Sequence, residues 1–214
     1  LSLLYRNIAS LDVTLYRLPE SELFNLTGVN QWEVWQNYQL PNPSANQIWT
    51  RSYEVVDERN VSIRQVITLT DESGNQLAPG IYFVEVAKPG GNGASSDSNA
   101  PSQAVDAAAN TNYVSQALIV ISNLNLTLKR SDSATSMVWL TDLRTGAPVS
   151  GVPVRFFNQG ELMDEGETED DGTLMAEIRP DPNLTWAPVL AIAGEPGDEN
   201  FAVVSSEWSS GIAI

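Results

Sequence analysis

Neither histidine nor cysteine occurs in these 214 residues. Without histidine, Ser-His-Asp and Cys-His nucleophile systems are excluded, as are His-liganded zinc, haem and non-haem iron. Without cysteine no disulfide, thiolate centre or iron–sulfur cluster can form. That absence does not place the chain in the cytosol, because envelope proteins with sufficient cores dispense with disulfides. Basic side chains are scarce too: 11 Lys and Arg face 27 Asp and Glu, giving a formal charge of −16 and a sequence pI near 4.1. Such a surface repels phosphate backbones and anionic lipid, which disfavours nucleic-acid and direct membrane binding. Nor does any apolar run approach the roughly 18 residues that a membrane-spanning helix needs. The chain starts at Leu1 with no initiator Met, basic leader or apolar signal core, and ends on a Trp208–Ile214 run. Together these features suggest a soluble segment of a longer protein.

What is present is strand chemistry. Hydrophobic residues make up 42% of the chain and six are Trp, enough apolar surface to offset chain entropy. Leu1–Ile8 and Leu11–Leu18 alternate and are rich in β-formers, and Pro19 closes the second run. Ile48–Val56 and Val61–Thr70 follow, then a turn at Asp71-Glu-Ser-Gly-Asn whose residues tolerate positive φ. Pro79-Gly80 introduces the strand Ile81–Ala87. No segment sustains a 3.6-residue period long enough for a globular helix; Trp32–Tyr38 is read as a short helical turn.

Residues 88–115 are Gly-, Ser-, Asn- and Ala-rich, which by composition alone is a linker. A β-run at Tyr113–Ser122 follows at once and passes into Asn123–Arg130 with almost no loop. In an immunoglobulin-like sandwich the last two strands pair as a hairpin, and Gly-x-Tyr often opens the first, a place that Gly80-Ile-Tyr82 fits. Residues 88–115 are therefore expected to be a long flexible hairpin loop within a first module, 1–122. A second module, 123–214, carries strands at Thr135–Thr141, Val152–Phe157, Leu174–Ile178, Trp186–Ala193 and Phe201–Ser205. Short strands separated by Gly/Asp/Pro turns predict an all-β fold of two consecutive Ig-like antiparallel sandwiches rather than βαβ units. The acid is uneven: residues 1–122 carry a net −6 and residues 123–214 a net −10.

Three blocks carry a resemblance. Leu126-Thr-Leu-Lys-Arg leads to Thr141-Asp-Leu-Arg-Thr-Gly-Ala-Pro148, then Gly151-Val-Pro-Val, then Thr168-Glu-Asp-Asp-Gly172. This series resembles a macroglobulin domain of the bacterial α2-macroglobulins. Leu77–Phe83 with the hand-over at Gln116–Lys129 resembles the end of a preceding macroglobulin domain. Trp208-Ser-Ser-Gly211 resembles an exit toward a following one. The resemblance covers about residues 77–214. The family traps proteases through a cleavable bait segment, a conformational collapse and a Cys–Gln thioester. With no Cys here, no residue of this chain inherits the thioester role.

Candidate sites are few. Glu161–Asp171 packs seven acids into eleven residues, which invites calcium, since hard cations want several oxygen ligands. It lacks the Asp-x-Asp/Asn-x-Asp/Asn-Gly loop with a distal Glu, and reads as a solvated hairpin. Trp32, Trp35, Tyr38 and Trp49 could line a glycan platform, or fill the core. Asn25, Asn60, Asn125 and Asn183 open Asn-x-Ser/Thr sequons at about chance frequency. Paired carboxylates could run a glycosidase, but acids are too abundant for any pair to stand out. No catalytic, cofactor-binding or metal-ligating residue is assigned, and no cofactor is expected.

The reading is a non-enzymatic scaffold in an exported, cell-surface or periplasmic protease inhibitor. Its partners would be neighbouring macroglobulin domains of the same chain and, for the whole protein, target proteases. The rival reading is an Ig-like module of an adhesin or glycan-binding repeat protein; a catalytic module using carboxylates is a third. A flanking thioester motif favours the first, and tandem copies with a wall anchor favour the second.

Overall fold

The computed structural model describes residues 1–27, 35, 38–56, 58–89, 115–131, 134–179 and 188–207. Within them the fold is all-β, with thirteen strands in four sheets. In order these are β1 (Ser2–Arg6), β2 (Ser10–Arg17), β3 (Gln47–Glu54), β4 (Ser62–Val66), β5 (Gly80–Ala87), β6 (Ser115–Ile121), β7 (Leu124–Arg130), β8 (Thr135–Asp142), β9 (Pro153–Asn158), β10 (Glu161–Glu167), β11 (Thr173–Glu177), β12 (Val189–Ala193) and β13 (Ala202–Ser205). The β1–β4, β2–β3, β7–β8, β8–β11, β9–β10, β9–β12 and β12–β13 pairs run antiparallel. Two short helices, α1 (Glu20–Leu26) and α2 (Pro43–Asn46), lie at places where the sequence reading put none. The helix α1 has no side-chain N-cap and only seven residues, too few to persist in water, so tertiary packing of Leu23 and Leu26 holds it. That packing is invisible to a periodicity test. The turn expected at Trp32–Tyr38 lies largely outside the described residues, though Trp35 is helical.

Two compact units interleave along the chain. The first takes Leu1–Tyr16, Pro43–Gln76 and Phe83–Leu118; the second takes Arg17–Asn42, Leu77–Tyr82 and Ile119–Ile214. The first unit holds the two-stranded β1–β4 ladder and most of the sheet ordered β3-β2-β5-β6. Period-2 patterning explains β2: Leu11, Val13 and Leu15 are buried while Asp12 and Thr14 between them are less so. Tyr16 packs on Phe83 at 6.1 Å and donates its hydroxyl to Glu85 at 2.8 Å. Burial and the Glu85 carboxylate raise the Tyr16 phenol far above its ordinary range.

The second unit contains a sandwich of two sheets, ordered β10-β9-β12-β13 and β11-β8-β7. Leu124, Leu126 and Leu128 alternate with Asn125, Thr127 and Lys129, and the three leucines enter a core shared with Val138, Leu140 and Phe156. Each such side chain contributes roughly 1.5–3 kcal/mol over leaving it exposed. The strand β12 is different, being buried at all five positions. Val189, Ala191 and Ala193 face the sandwich core, whereas Leu190 and Ile192 are buried without joining it, so both faces of β12 are covered. A continuous apolar run, rather than alternation, is the sequence form of such a strand.

Between β10 and β11 the chain changes sheets, since β10 pairs with β9 and β11 with β8. Glu161–Glu167 of the acidic run is therefore β10, one arm of the β9–β10 hairpin, and the rest of the run, with Thr168 and Gly172, arches from that sheet to the other. A register shift between Leu162 and Asp164 bulges β10, and together with its carboxylates blunts this sheet edge.

Candidate functional site

The motif residues act as backbone fasteners. Asp142 Oδ1 accepts from the Arg144 and Thr145 amides at 3.0 and 2.7 Å and from the Thr145 hydroxyl at 2.8 Å. Those bonds, the Thr145 hydroxyl first, hold the Asp142 carboxyl below its ordinary pKa. The chain then turns so that the Asp142 amide donates to Ala147 and the Gly146 amide to Asp142. Thr168, buried within the arch, donates its hydroxyl to the Val149 carbonyl at 2.9 Å and accepts from the Val152 amide at 3.1 Å. Asp171 repeats the Asp142 device with the Thr173 hydroxyl at 2.6 Å and amide at 2.9 Å, which lowers its pKa likewise. At Gly172, φ is +77° and the amide and carbonyl bind Glu169 and Leu140, so the second turn is stitched into β8. The hydrogen-bonding groups of both motifs are directed at backbone or at the motif's own side chains, which is turn chemistry.

Tyr82 donates its hydroxyl to the Ala78 carbonyl at 2.8 Å, four residues upstream, a tyrosine-corner contact at the entry of β5. At the β6–β7 hand-over, Ser122 Oγ accepts from the Leu124 amide at 2.9 Å and lies 2.6 Å from the Phe201 carbonyl. A single hydroxyl thus fixes the bend that the sequence shows only as a missing loop.

Of the acidic run, Asp164 binds the Glu165 and Glu177 amides at 2.9 and 3.1 Å. Among the described residues no three acidic side chains converge in a way that could hold a metal ion. Trp49 is buried, donates to the Thr70 carbonyl at 2.7 Å and carries the Arg51 guanidinium 4.3 Å above its ring. Tyr38 is buried, stacks on the half-buried Trp35 at 6.4 Å and donates to Glu22 at 3.0 Å. These two rings belong to their cores rather than to a platform; Trp32 lies outside the described residues. Asn25 bonds Glu22, Asn60 bonds Asn7 in a turn, and Asn125 bonds Thr127 on β7, while Asn183 is also outside the described set.

A polar centre absent from the sequence reading lies where α1 docks. Arg155 on β9 pairs with both oxygens of Glu20 at 3.1 and 3.0 Å, with Glu195 at 3.1 Å, and sits 5.6 Å from the Phe157 ring. One helical turn on, Phe24 packs against Phe157 at 4.6 Å. The only hint in the sequence is an arginine amid the apolar run Val152–Phe157, a place where a charge needs a partner. Its chemistry is that of a clamp: a fixed cation, two carboxylates and an aromatic pair.

No protein-family profile and no curated protein matches the sequence. Solved structures do. A crystal structure of native alpha-2-macroglobulin from Escherichia coli spanning domains NIE-MG1 matches 96% of this chain and 88% of its own, with a TM-score of 0.67 at 18% identity. A second, spanning MG0-NIE-MG1, matches 96% of this chain and 57% of its own at 0.63 and 17%. Trypsin-activated alpha-2-macroglobulin from Escherichia coli matches at 0.57 and 15%, and there the chain spans 12% of that protein. At such identities the likeness speaks for architecture, and it runs through consecutive domains. The chain has the fold of consecutive domains of a bacterial alpha-2-macroglobulin.

Proposed function

We propose that this chain is a pair of scaffold modules, 1–122 and 123–214, within a bacterial macroglobulin-like protease inhibitor. The observation that supports the reading is a fold likeness over 96% of the chain to an alpha-2-macroglobulin structure spanning domains NIE-MG1. The use of the motif residues supports it: Asp142, Thr145, Thr168 and Asp171 stiffen turns and present no converging reactive groups. In this role the modules work by geometry, holding neighbouring domains of the same chain in place. The whole protein is exported, and its targets are proteases. The boundary at Ser122–Asn123 rests on the direct hand-over from β6 to β7.

The test compares the whole protein with this fragment. The whole protein is expected to protect a protein substrate from trypsin, and the fragment to leave hydrolysis unchanged. Stoichiometric inhibition by the fragment, or a whole protein without effect on any of several endopeptidases, overturns the reading.

A further inference from the structure

The outward face of the β11-β8-β7 sheet does not look like ordinary surface. Alternation puts Met137, Trp139 and Thr141 of β8 on the side away from Val138 and Leu140, which are fully buried. In the β8–β11 register Met175 stands opposite Met137, and Thr173 opposite Trp139. In the β7–β8 register Thr127 stands opposite Trp139, and Lys129 opposite Met137. A Trp and two of the chain's three Met residues therefore adjoin on one sheet face, with Trp139 44% and Met175 57% exposed. Solvent gains nothing from this: a valine or threonine would serve the strand equally, and methionine beside an exposed indole is a composition of protein-binding surfaces.

The ring is also held. Trp139 Nε1 donates to the Asp171 carbonyl at 3.2 Å, which orients the indole without covering it. That same bond ties the ring to the acidic Glu169-Asp-Asp171 turn, whereas Glu177 at the end of β11 is already paired with Arg179 at 2.6 Å. Across the face the β7 margin carries Lys129 instead. The face is thus apolar at its centre and acidic beside Trp139 at the 169–171 turn, with Lys129 on the β7 margin and Arg179 at the end of β11.

From this the geometry points to a docking surface centred on Trp139, Met137 and Met175 for a protein partner that is apolar at its centre and basic where it overlies the 169–171 turn. A second copy of this chain is the wrong occupant, because each copy carries −16 and 27 acids against 11 bases. The inference deepens the scaffold reading by giving the scaffold a surface to hold with. It rests on that reading only in taking the occupant to be protein, and protease inhibition plays no part in its test.

The test titrates the folded 214-residue chain with three synthetic peptides, read by the Trp139 indole and the Met137 and Met175 methyl resonances. One peptide has a leucine-rich centre flanked by lysines, one has serine in place of leucine, and one keeps leucine but is flanked by glutamates. The lysine–leucine peptide is expected to shift all three resonances and to bind at least about tenfold more tightly than either control, and Met175→Lys to weaken it by about tenfold. Circular dichroism of the variant checks its fold, and Leu143→Lys, an exposed substitution on the β8–β9 turn, is expected to leave binding unchanged. Equal binding of the serine peptide reduces the effect to bulk charge and overturns the proposal, as does equal binding of the glutamate peptide. Concentration-dependent dimerisation lost in Met175→Lys would replace the partner with a second copy and overturn it too.

Discussion

Arg155 and Glu20 lie 135 residues apart in sequence and meet through two parallel N–H···O bonds of 3.1 and 3.0 Å. The pair is only 25% and 19% exposed, so it is screened less than a surface ion pair. Its asymmetry makes a prediction. In Glu20→Ala, Arg155 keeps Glu195 at 3.1 Å; in Arg155→Ala, two carboxylates lose their cation together. Arg155→Ala is expected to cost more, by about 1 kcal/mol, than Glu20→Ala. Urea melts of both variants check the order, and equal losses would show that Glu195 gives no support.

Leu23 is fully buried on α1, and that helix cannot stand alone. Leu23→Ala is expected to cost about 2–5 kcal/mol. Hydrogen exchange should show the amides of 20–26 losing protection before those of β7 and β8. Uniform loss of protection across the unit would mean that α1 is integral to it rather than docked upon it.

Two glycines with similar backbone angles separate strain from clash. Gly74 has φ +87° with open space around it, whereas at Gly172 an added Cβ falls 2.5 Å from the Leu140 carbonyl oxygen. Gly74→Ala should cost about 1–2 kcal/mol from the left-handed conformation alone. Gly172→Ala should cost clearly more, because the carbonyl it strikes belongs to β8. Thermal melts giving equal shifts would show that the turn relaxes freely.

Acid should loosen the turns. The Asp142 and Asp171 carboxyls titrate below the ordinary 3.8 when folded. A folded pKa under the unfolded one means that the stabilisation is complete above pH of about 4 and is lost as pH falls through the folded values. Asp142→Asn and Asp171→Asn should each flatten the decline of stability below pH 4 and leave its slope above pH 5 unchanged. Carboxyl carbon titration by NMR gives the two midpoints directly, and midpoints at or above 3.8 would refute the hydrogen-bond argument.

The neighbouring places of β5 and β6 in one sheet make a further prediction. A chain cut at a specific protease site engineered between residues 90 and 114 is expected to elute as one native particle and to separate only in denaturant. Separate native elution would show that β5 and β6 do not hold the pieces together, and would move the proposed boundary away from Ser122–Asn123.

Strand chemistry was legible wherever one face of a strand meets water. The strand β7 alternates Leu, Asn, Leu, Thr, Leu, and its place follows from period 2 alone. The turns at Asp142–Gly146 and Thr168–Gly172 were legible because their residues bond to their own neighbours. Tertiary context hid the rest. The strand β10 reads as an acid run because an edge strand can be almost wholly polar, and α1 is too short to show a period. The Arg155 clamp joins residues whose nearness no local pattern encodes. Trp139 and Met175 declare themselves only once the register places Met137 and Met175 side by side.

The burial of β12 on both faces bears on how the chain reaches its native state. Val-Leu-Ala-Ile-Ala carries no charge and no side-chain hydrogen-bonding group, and the core face of its native slot is walled by residues of β7, β8, β9, β11 and β13. During synthesis all of those walls but β13 are made first, so the strand emerges into a site already largely formed. When the whole chain is refolded from denaturant, the same five residues are bare while the slot is still forming, and they can pair with their like on other molecules. Refolding yield should therefore fall with protein concentration far more steeply than native solubility does, and a chaperone that shields one short apolar segment should restore most of it.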